Sequence, residues 1–409
     1  MVSRFSPMLG LLGMVLGAGS ALAAGGAPLQ VIVSKDQQSL VVYDGDTVVA
    51  TSNVSTGKRG HETPTGIFSI LEKRKFHASN IYSNAPMPFM QRLTWSGIAL
   101  HGARHVPPRP ASHGCVRLPE SFAKSLFSMT GRGLHVIIAG DQLVPRLVDE
   151  PALFQPTPPT PQLLTDATLR PSMDHPPGTA VEVAMSTPAP AQDAGIEADD
   201  RAPIRILITR RGPREHMLDL QGALSDLGFY TGPLDGAAGS QTAEAIRAFE
   251  RAERLPETGR DGPSVSQAIF AKTKRPPPPN GQLLVRRDFA PLFEVPVTIA
   301  DPTVALGVHF FQFQDRDPDS GKGKWFALSL DNALPGPMRK RLGITVQADS
   351  HADGAAEASL KRIAIPEEAR RRIEALLADG SSLTISDLGL GQETGRGTDF
   401  VTVTQERKG

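Results

Sequence analysis

Cysteine is nearly absent: the 409 residues contain one, Cys115. A lone thiol excludes an intramolecular disulfide framework and a cysteine-rich metal site. An excess of either charge is missing too, because 43 lysines and arginines balance 43 aspartates and glutamates. No global field steers the chain toward nucleic acid or an anionic bilayer, so a neutral or mixed-charge partner is expected. Aromatic residues are few, 5 %, and no run beyond the first residues approaches the length of a membrane span. What is there is proline, 36 residues of it, and enough chain for two or three domains with separate cores.

The chain opens "MVSRFSPMLGLLGMVLGAGSALAAGG", in which Arg4 supplies positive charge, Met8 to Leu16 a short glycine-broken apolar run and Ala21-Leu22-Ala23 a small-residue cleavage site. Residues 1–23 read as a secretory signal peptide, which places the mature protein in the periplasm. In an oxidising compartment an odd cysteine is either buried and inert or a thiol kept for its reactivity.

Residues 27–142 read as a mostly β domain, a sandwich with one main helix. Val31 and Val33 share one strand face, Leu40 and Val42 another, and Asp44-Gly45 is a hairpin signal. The helix is "PESFAKSLFSMTGRG", with Phe122, Leu126 and Met129 at i, i+4 and i+7. Residues 143–213, rich in proline and poor in large apolar side chains, read as a disordered linker. Residues 214–273 form a small three-helix bundle: Met217, Leu220, Leu224 and Leu227 line one helix, Ala243, Ile246 and Phe249 a second, and "SVSQAIFAKT" makes a third. On periodicity alone this is a spacer. A proline hinge, 274–280, leads into an α+β region, 281–409. There "IPEEARRRIEALLADGSSLTIS" lies over "LPESFAKSLFSMTGRGLHVIIA" without a gap, at a shift of about 247 residues. The region reads either as a degenerate second copy of the first domain or as a chance likeness of two strand-helix-strand units. Lys361-Arg362 stand where the first copy has Gly114-Cys115, so the chemistry is expected in the first domain only.

The segment "HGARHVPPRPASHGCVRLPE" offers what a cysteine nucleophile needs: a base, donors for an oxyanion, and access. Cys115 precedes the helix, whose N-terminus would favour a thiolate. Gly114 permits close approach, and the N–H groups of Gly114 and Cys115 are the expected oxyanion donors. His101, at the end of an apolar strand, is the expected base, and His113, separated from Cys115 by Gly114, is expected to orient the loop. Arg117 falls on the side of Cys115, placed to meet a substrate carboxylate or lower the thiol pKa. His101 and His105 stand at i, i+4, but the glycine and double proline around them do not make a ligand-bearing helix; no metal and no cofactor is expected. The other histidines read as surface or strand residues.

These residues resemble the active-site signature of the YkuD-type L,D-transpeptidases, a histidine followed by S/T-H-G-C, an apolar residue and asparagine or arginine. The resemblance implies a mostly β fold and a cysteine acyltransferase acting on peptidoglycan stems, with Cys115 as nucleophile and His101 as the histidine that accepts its proton. By position, Ser112, His113 and Gly114 shape the oxyanion site, and Arg117 takes the variable position. "LQGALSDLGFYTGPLDGAAGSQTAEAIRAF" is similar to the peptidoglycan-binding domain 1 family, which replaces the spacer reading and makes the turn from Gly228 to Gly236 the expected wall contact. The expected partners are stem peptides and glycan, with an envelope protein as a further amine acceptor. The acceptor fixes the biology: a stem amine gives 3→3 cross-links, a protein amine attaches that protein to the wall, and water makes an L,D-carboxypeptidase. A non-catalytic wall anchor is the alternative from another class.

Overall fold

A computed structural model describes residues 28–79, 84–156, 202–273, 278–317, 320–395 and 397–405. The expected signal peptide and the centre of the expected linker lie outside the described residues. In the first domain β1 (Gln30–Ser34), β2 (Ser39–Asp44), β3 (Thr47–Asn53) and β4 (Gly66–Ser69) precede β5 (Glu72–Arg74), β6 (Met90–Arg92), β7 (Ala99–Ala103) and β8 (Val116–Pro119). Helix α1 (Glu120–Met129) and β9 (His135–Ala139) follow. Asp44 pairs with Thr47 across the expected hairpin, and Gly45 takes the positive φ, 60°, that such a turn requires.

Two sheets form, one containing β4-β9-β1-β2-β3 and the other β5-β6-β7-β8. Val31, Val33, Leu40, Val42 and Phe68 from the first sheet meet Leu100, Val116 and Leu118 from the second, with Ala123 and Leu126 of α1, in one core. The second face of the larger sheet is buried as well. Ile32, Val41, Tyr43, Ile67 and Ile137 pack on Val308, Phe310, Leu328 and Leu330 of another sheet. This accounts for the unbroken apolar runs "VIV" and "VIIA", which a one-sided strand would alternate with polar residues.

That third sheet corrects the linker and domain boundaries. β10 (Arg146–Val148) and β11 (Arg205–Arg210), both inside the expected linker, are strands of it. Leu153 and Phe154 lie in its core, and the Trp325 indole N–H donates to the Phe154 carbonyl at 2.7 Å. After β11 the chain leaves through α2 (Pro213–Asp226), α3 (Ser240–Ala252) and α4 (Pro263–Thr273), the expected bundle, and returns in β12 (Gly281–Arg287). Arg210 pairs with Gly281, so the bundle is inserted in a β-hairpin of the C-terminal domain. The expected start of that domain at residue 281 misses its central strand.

The remaining elements are β13 (Ala290–Ile299), β14 (Val308–Gln314), β15 (Lys324–Leu330), α5 (Gly336–Leu342), α6 (Ala355–Lys361), β16 (Ile363–Ala364), α7 (Glu367–Leu376), β17 (Ser382–Ser386) and β18 (Thr402–Val403). The order β14-β17-β11-β12-β13 has the same sequence of antiparallel and parallel pairings as β4-β9-β1-β2-β3. The two domains also exchange edges: β10 follows the first domain and pairs with β15, while β18 follows the second and pairs with β4. Among the described residues no helix is long and apolar enough to cross a membrane.

Candidate active site

Alternation on β7 and β8 sets the site. Leu100, Val116 and Leu118 point into the core, so Ala99, His101 and Arg117 face the opposite way. β7 and β8 are parallel, with His101 directly opposite Arg117. Cys115, one residue before β8, joins that outer face against Met87, Met90 and Ala99. Together they line a cavity of about 290 Å³ with Arg92, Arg104, His77 and His105. Among the described residues no aspartate or glutamate lines it, so it favours an anionic substrate.

The Cys115 thiol donates to the Gly97 carbonyl, Sγ to O 3.4 Å, and receives the Ala99 N–H. Burial pushes the thiol pKa up; the Ala99 N–H, Arg117 and Arg92 oppose it. The expected helix-end lowering is absent, because β8 separates Cys115 from α1, which begins only at Glu120. His101 is buried, and its Nδ1 donates to the Gly102 carbonyl at 2.9 Å, which leaves Nε2 as the acceptor. Burial lowers its pKa, Arg117 pushes the same way, and the Gly102 hydrogen bond opposes them. Both shifts favour the neutral forms, thiol and imidazole.

The cysteine loop is held from below by the segment after β3. Ser55 exchanges N–H and carbonyl with Arg117, both at 3.0 Å, and the N–H groups of Ala111 and Ser112 reach the Thr56 carbonyl at 2.9 and 3.0 Å. Gln38 clamps Thr56, accepting its N–H at 2.9 Å and donating to its hydroxyl at 2.7 Å. Thr63 bridges the two segments: its hydroxyl accepts the Gly57 N–H at 2.8 Å and donates to the Gly114 carbonyl at 2.7 Å. Gly114 has φ 111°, and a Cβ there would meet Ile98 Cδ1 at 2.9 Å. Glycine is needed for both reasons.

The expected residues divide as follows. Cys115, His101, Arg117 and Ser112 line one cavity. His113 lines it with an exposed side chain whose ring stands edge-on to His61 at 4.7 Å. The Gly114 N–H is not a free oxyanion donor as expected: it donates to the Ser112 hydroxyl at 3.2 Å, and that hydroxyl in turn donates to the Cys115 carbonyl. Sequence reasoning missed Thr63, Gln38, Arg92, Gly97 and His77. None carries a local motif, since each reaches the site through a backbone contact or a distant pairing. His135 and His309, read as surface or strand residues, stand on strands β9 and β14 and are buried; His135 Nε2 meets the Ser382 hydroxyl at 2.9 Å across the two large sheets. Asp141, Asp331 and His351 bring metal-type donors within 4.8 Å of one another, in a cavity separate from that of Cys115.

In the helical module the buried Gln221 amide donates to Asp235 Oδ1 at 3.0 Å and to the Ala237 carbonyl at 3.1 Å, and accepts the Gly236 N–H at 2.9 Å. One side chain from α2 therefore shapes the turn expected to meet the wall.

Residues 28–138 match the L,D-transpeptidase catalytic domain model of the YkuD family, and residues 213–269 match a peptidoglycan binding domain model. The chain thus carries an L,D-transpeptidase catalytic domain and a peptidoglycan binding domain. It is similar to an L,D-transpeptidase from Mycobacterium smegmatis, with 23% identity over 28% of this chain and 59% of that one and a TM-score of 0.26. It is also similar to an L,D-transpeptidase from Stackebrandtia nassauensis, with 30% identity over 29% of this chain and 58% of that one, again at 0.26. A curated relative, the OxPP cycle protein OpcA of Nostoc punctiforme, is 36% identical over 87 residues, 20% of this chain and 18% of its own. The chain therefore spans less than two thirds of each of these relatives.

Proposed function

We propose that the protein is a periplasmic L,D-transpeptidase that acts on peptidoglycan tetrapeptide stems through a Cys115 thioester. The observation that carries this is the common face of Cys115, His101 and Arg117 in a cavity lined by arginines and histidines. His101 Nε2 takes the Cys115 proton as sulfur attacks the carbonyl of the third stem residue. The Cys115 N–H, joined by the Gly114 N–H once Ser112 Oγ turns away, stabilises the oxyanion. The C–N bond breaks, and the terminal D-alanine leaves with the proton from His101. An amine then attacks the thioester, His101 takes its proton, and sulfur departs as thiol. Arg117 and Arg92 suit the carboxylates of the stem.

The helical module holds the glycan or stem near its 228–236 turn. The C-terminal domain is a second copy of the catalytic sheet that has lost the chemistry. At the shift of the repeat, Arg362 takes the place of Cys115. Its guanidinium donates to the carbonyls of Ala300, Asp301, Val304 and Ala305, all between 2.7 and 3.2 Å. A side chain so engaged is structural.

Incubation of the mature chain with disaccharide-tetrapeptide, followed by muropeptide separation, tests the reading. A 3→3 dimer supports it; tripeptide alone makes water the acceptor; binding without product makes the chain an anchor.

A further inference from the structure

The turn that holds the nucleophile is itself held from outside the catalytic domain. Residues 94–98 join β6 to β7 and are closed by local hydrogen bonds. Gly97 N–H reaches the Thr94 carbonyl at 3.3 Å, Ile98 N–H the Thr94 hydroxyl at 3.0 Å, and Leu93 N–H the Ile98 carbonyl at 2.8 Å. The turn delivers the Gly97 carbonyl and, two residues on, the Ala99 N–H to Cys115 sulfur. Its apex N–H, that of Trp95, points outward and donates to Glu393 Oε2 at 3.1 Å. Glu393 lies 298 positions away in the chain, in the C-terminal domain.

The stretch carrying Glu393 is anchored on both sides. Before it, Asp387 accepts from Arg210 at 2.7 Å and from the N–H groups of Leu306 and Gly307. After it, Asp399 joins Arg205 of β11 at 3.2 Å to Ser69 of β4 at 3.1 Å. Val401 then enters the catalytic core, and β18 pairs with β4, where a Cβ on Gly66 would meet the Thr402 carbonyl at 2.1 Å. With Asp387 and Asp399 so held, Glu393 between them can set the position of a turn that it touches. Leu388, Gly389 and Leu390, between Asp387 and Glu393, also line the cleft between the helical module and the C-terminal domain, with Met217 and Phe270.

We propose that Glu393 is a positioning residue for the Cys115 thiol, acting through the 94–98 turn, so that the C-terminal domain completes the catalytic domain's site. The inference rests on the reading of Cys115 as nucleophile. Without the carboxylate the turn relaxes and the Ala99 N–H no longer steadies the thiolate, so the thiol deprotonates at higher pH and reacts more slowly near neutrality.

Iodoacetamide alkylation of Cys115 in the full chain, followed by intact mass across pH, tests this without using a wall substrate. Glu393→Ala is expected to slow alkylation near neutrality about fivefold, the scale of one lost hydrogen bond, and to move the pH midpoint upward. Glu393→Gln, which keeps an acceptor for the Trp95 N–H, is expected to restore the wild-type profile, and the thermal midpoints of the three proteins are expected to agree. An alanine variant with the wild-type profile, or a glutamine variant as slow as alanine, would overturn the proposal. So would a rate loss that comes with a lowered thermal midpoint. If the wild-type chain fails to take acyl groups from stem peptides while alkylation still depends on Glu393, the transpeptidase reading falls and the positioning role stands.

Discussion

Thr63→Val is the most informative single change in the catalytic domain. The side chain is fully buried, and valine keeps its shape while removing the hydroxyl that joins the Gly57 N–H to the Gly114 carbonyl. The segment around Gly57 is closely packed, since a Cβ there would meet the His61 carbonyl at 2.0 Å. A buried backbone group left unpaired costs about 1–3 kcal/mol, so two together cost about 2–6 kcal/mol. The loss falls on the residue next to the nucleophile, and a displacement of the loop by a fraction of an ångström is expected to reduce acylation about tenfold to a hundredfold. The assay is urea-dependent exposure of Cys115 to a thiol reagent, beside acylation by a disaccharide-tetrapeptide. Thr63→Ser keeps the hydroxyl and loses one methyl, worth about 1 kcal/mol, and should acylate nearly as wild type. A valine variant that matches the serine variant in both measurements would refute the role given to the bridge.

Two further predictions concern pH. Arg117 lowers the pKa of His101, and transfer requires neutral His101; Arg117→Gln should therefore shift the acid limb of kcat/KM to higher pH, which a pH-rate profile would show and an unmoved limb would contradict. His309, buried between the Leu306 carbonyl and the Ser329 hydroxyl, has its pKa lowered to about 4. Because the unfolded chain protonates first, its contribution is intact above the ordinary histidine value and is lost as pH falls toward the folded value, about 3 kcal/mol in all. Thermal midpoints measured from pH 7 to pH 4 should fall less steeply in His309→Gln, and equal slopes would rule the residue out as the cause.

Much of the catalytic domain is legible because its signals are local. Asp44-Gly45 calls for a tight hairpin, Phe122, Leu126 and Met129 mark the buried side of α1, and "SHGC" sets glycine and cysteine in one loop. The errors arise where a local signal is read through a neighbourhood of another kind. "RILITR" is an unbroken buried strand, parallel to β17, yet it stands at the end of a proline-rich stretch whose composition masks it. The helical module interrupts a hairpin, so β11 and β12 pair only in three dimensions. Cys115 precedes a helix in sequence but is separated from it by the four residues of β8, enough to remove any helix-end effect. Thr63, Gln38 and Glu393 act through backbone partners, and no spacing rule finds a backbone partner.

The central claim is that Cys115 forms an acyl-enzyme with a stem peptide. Intact-protein mass spectrometry of the full chain, reduced and incubated with disaccharide-tetrapeptide, tests it directly. The account predicts an adduct equal to the stem donor less its terminal D-alanine, present in wild type and absent from Cys115→Ala. An adduct that persists in Cys115→Ala, or product formed by that variant at the wild-type rate, would contradict it.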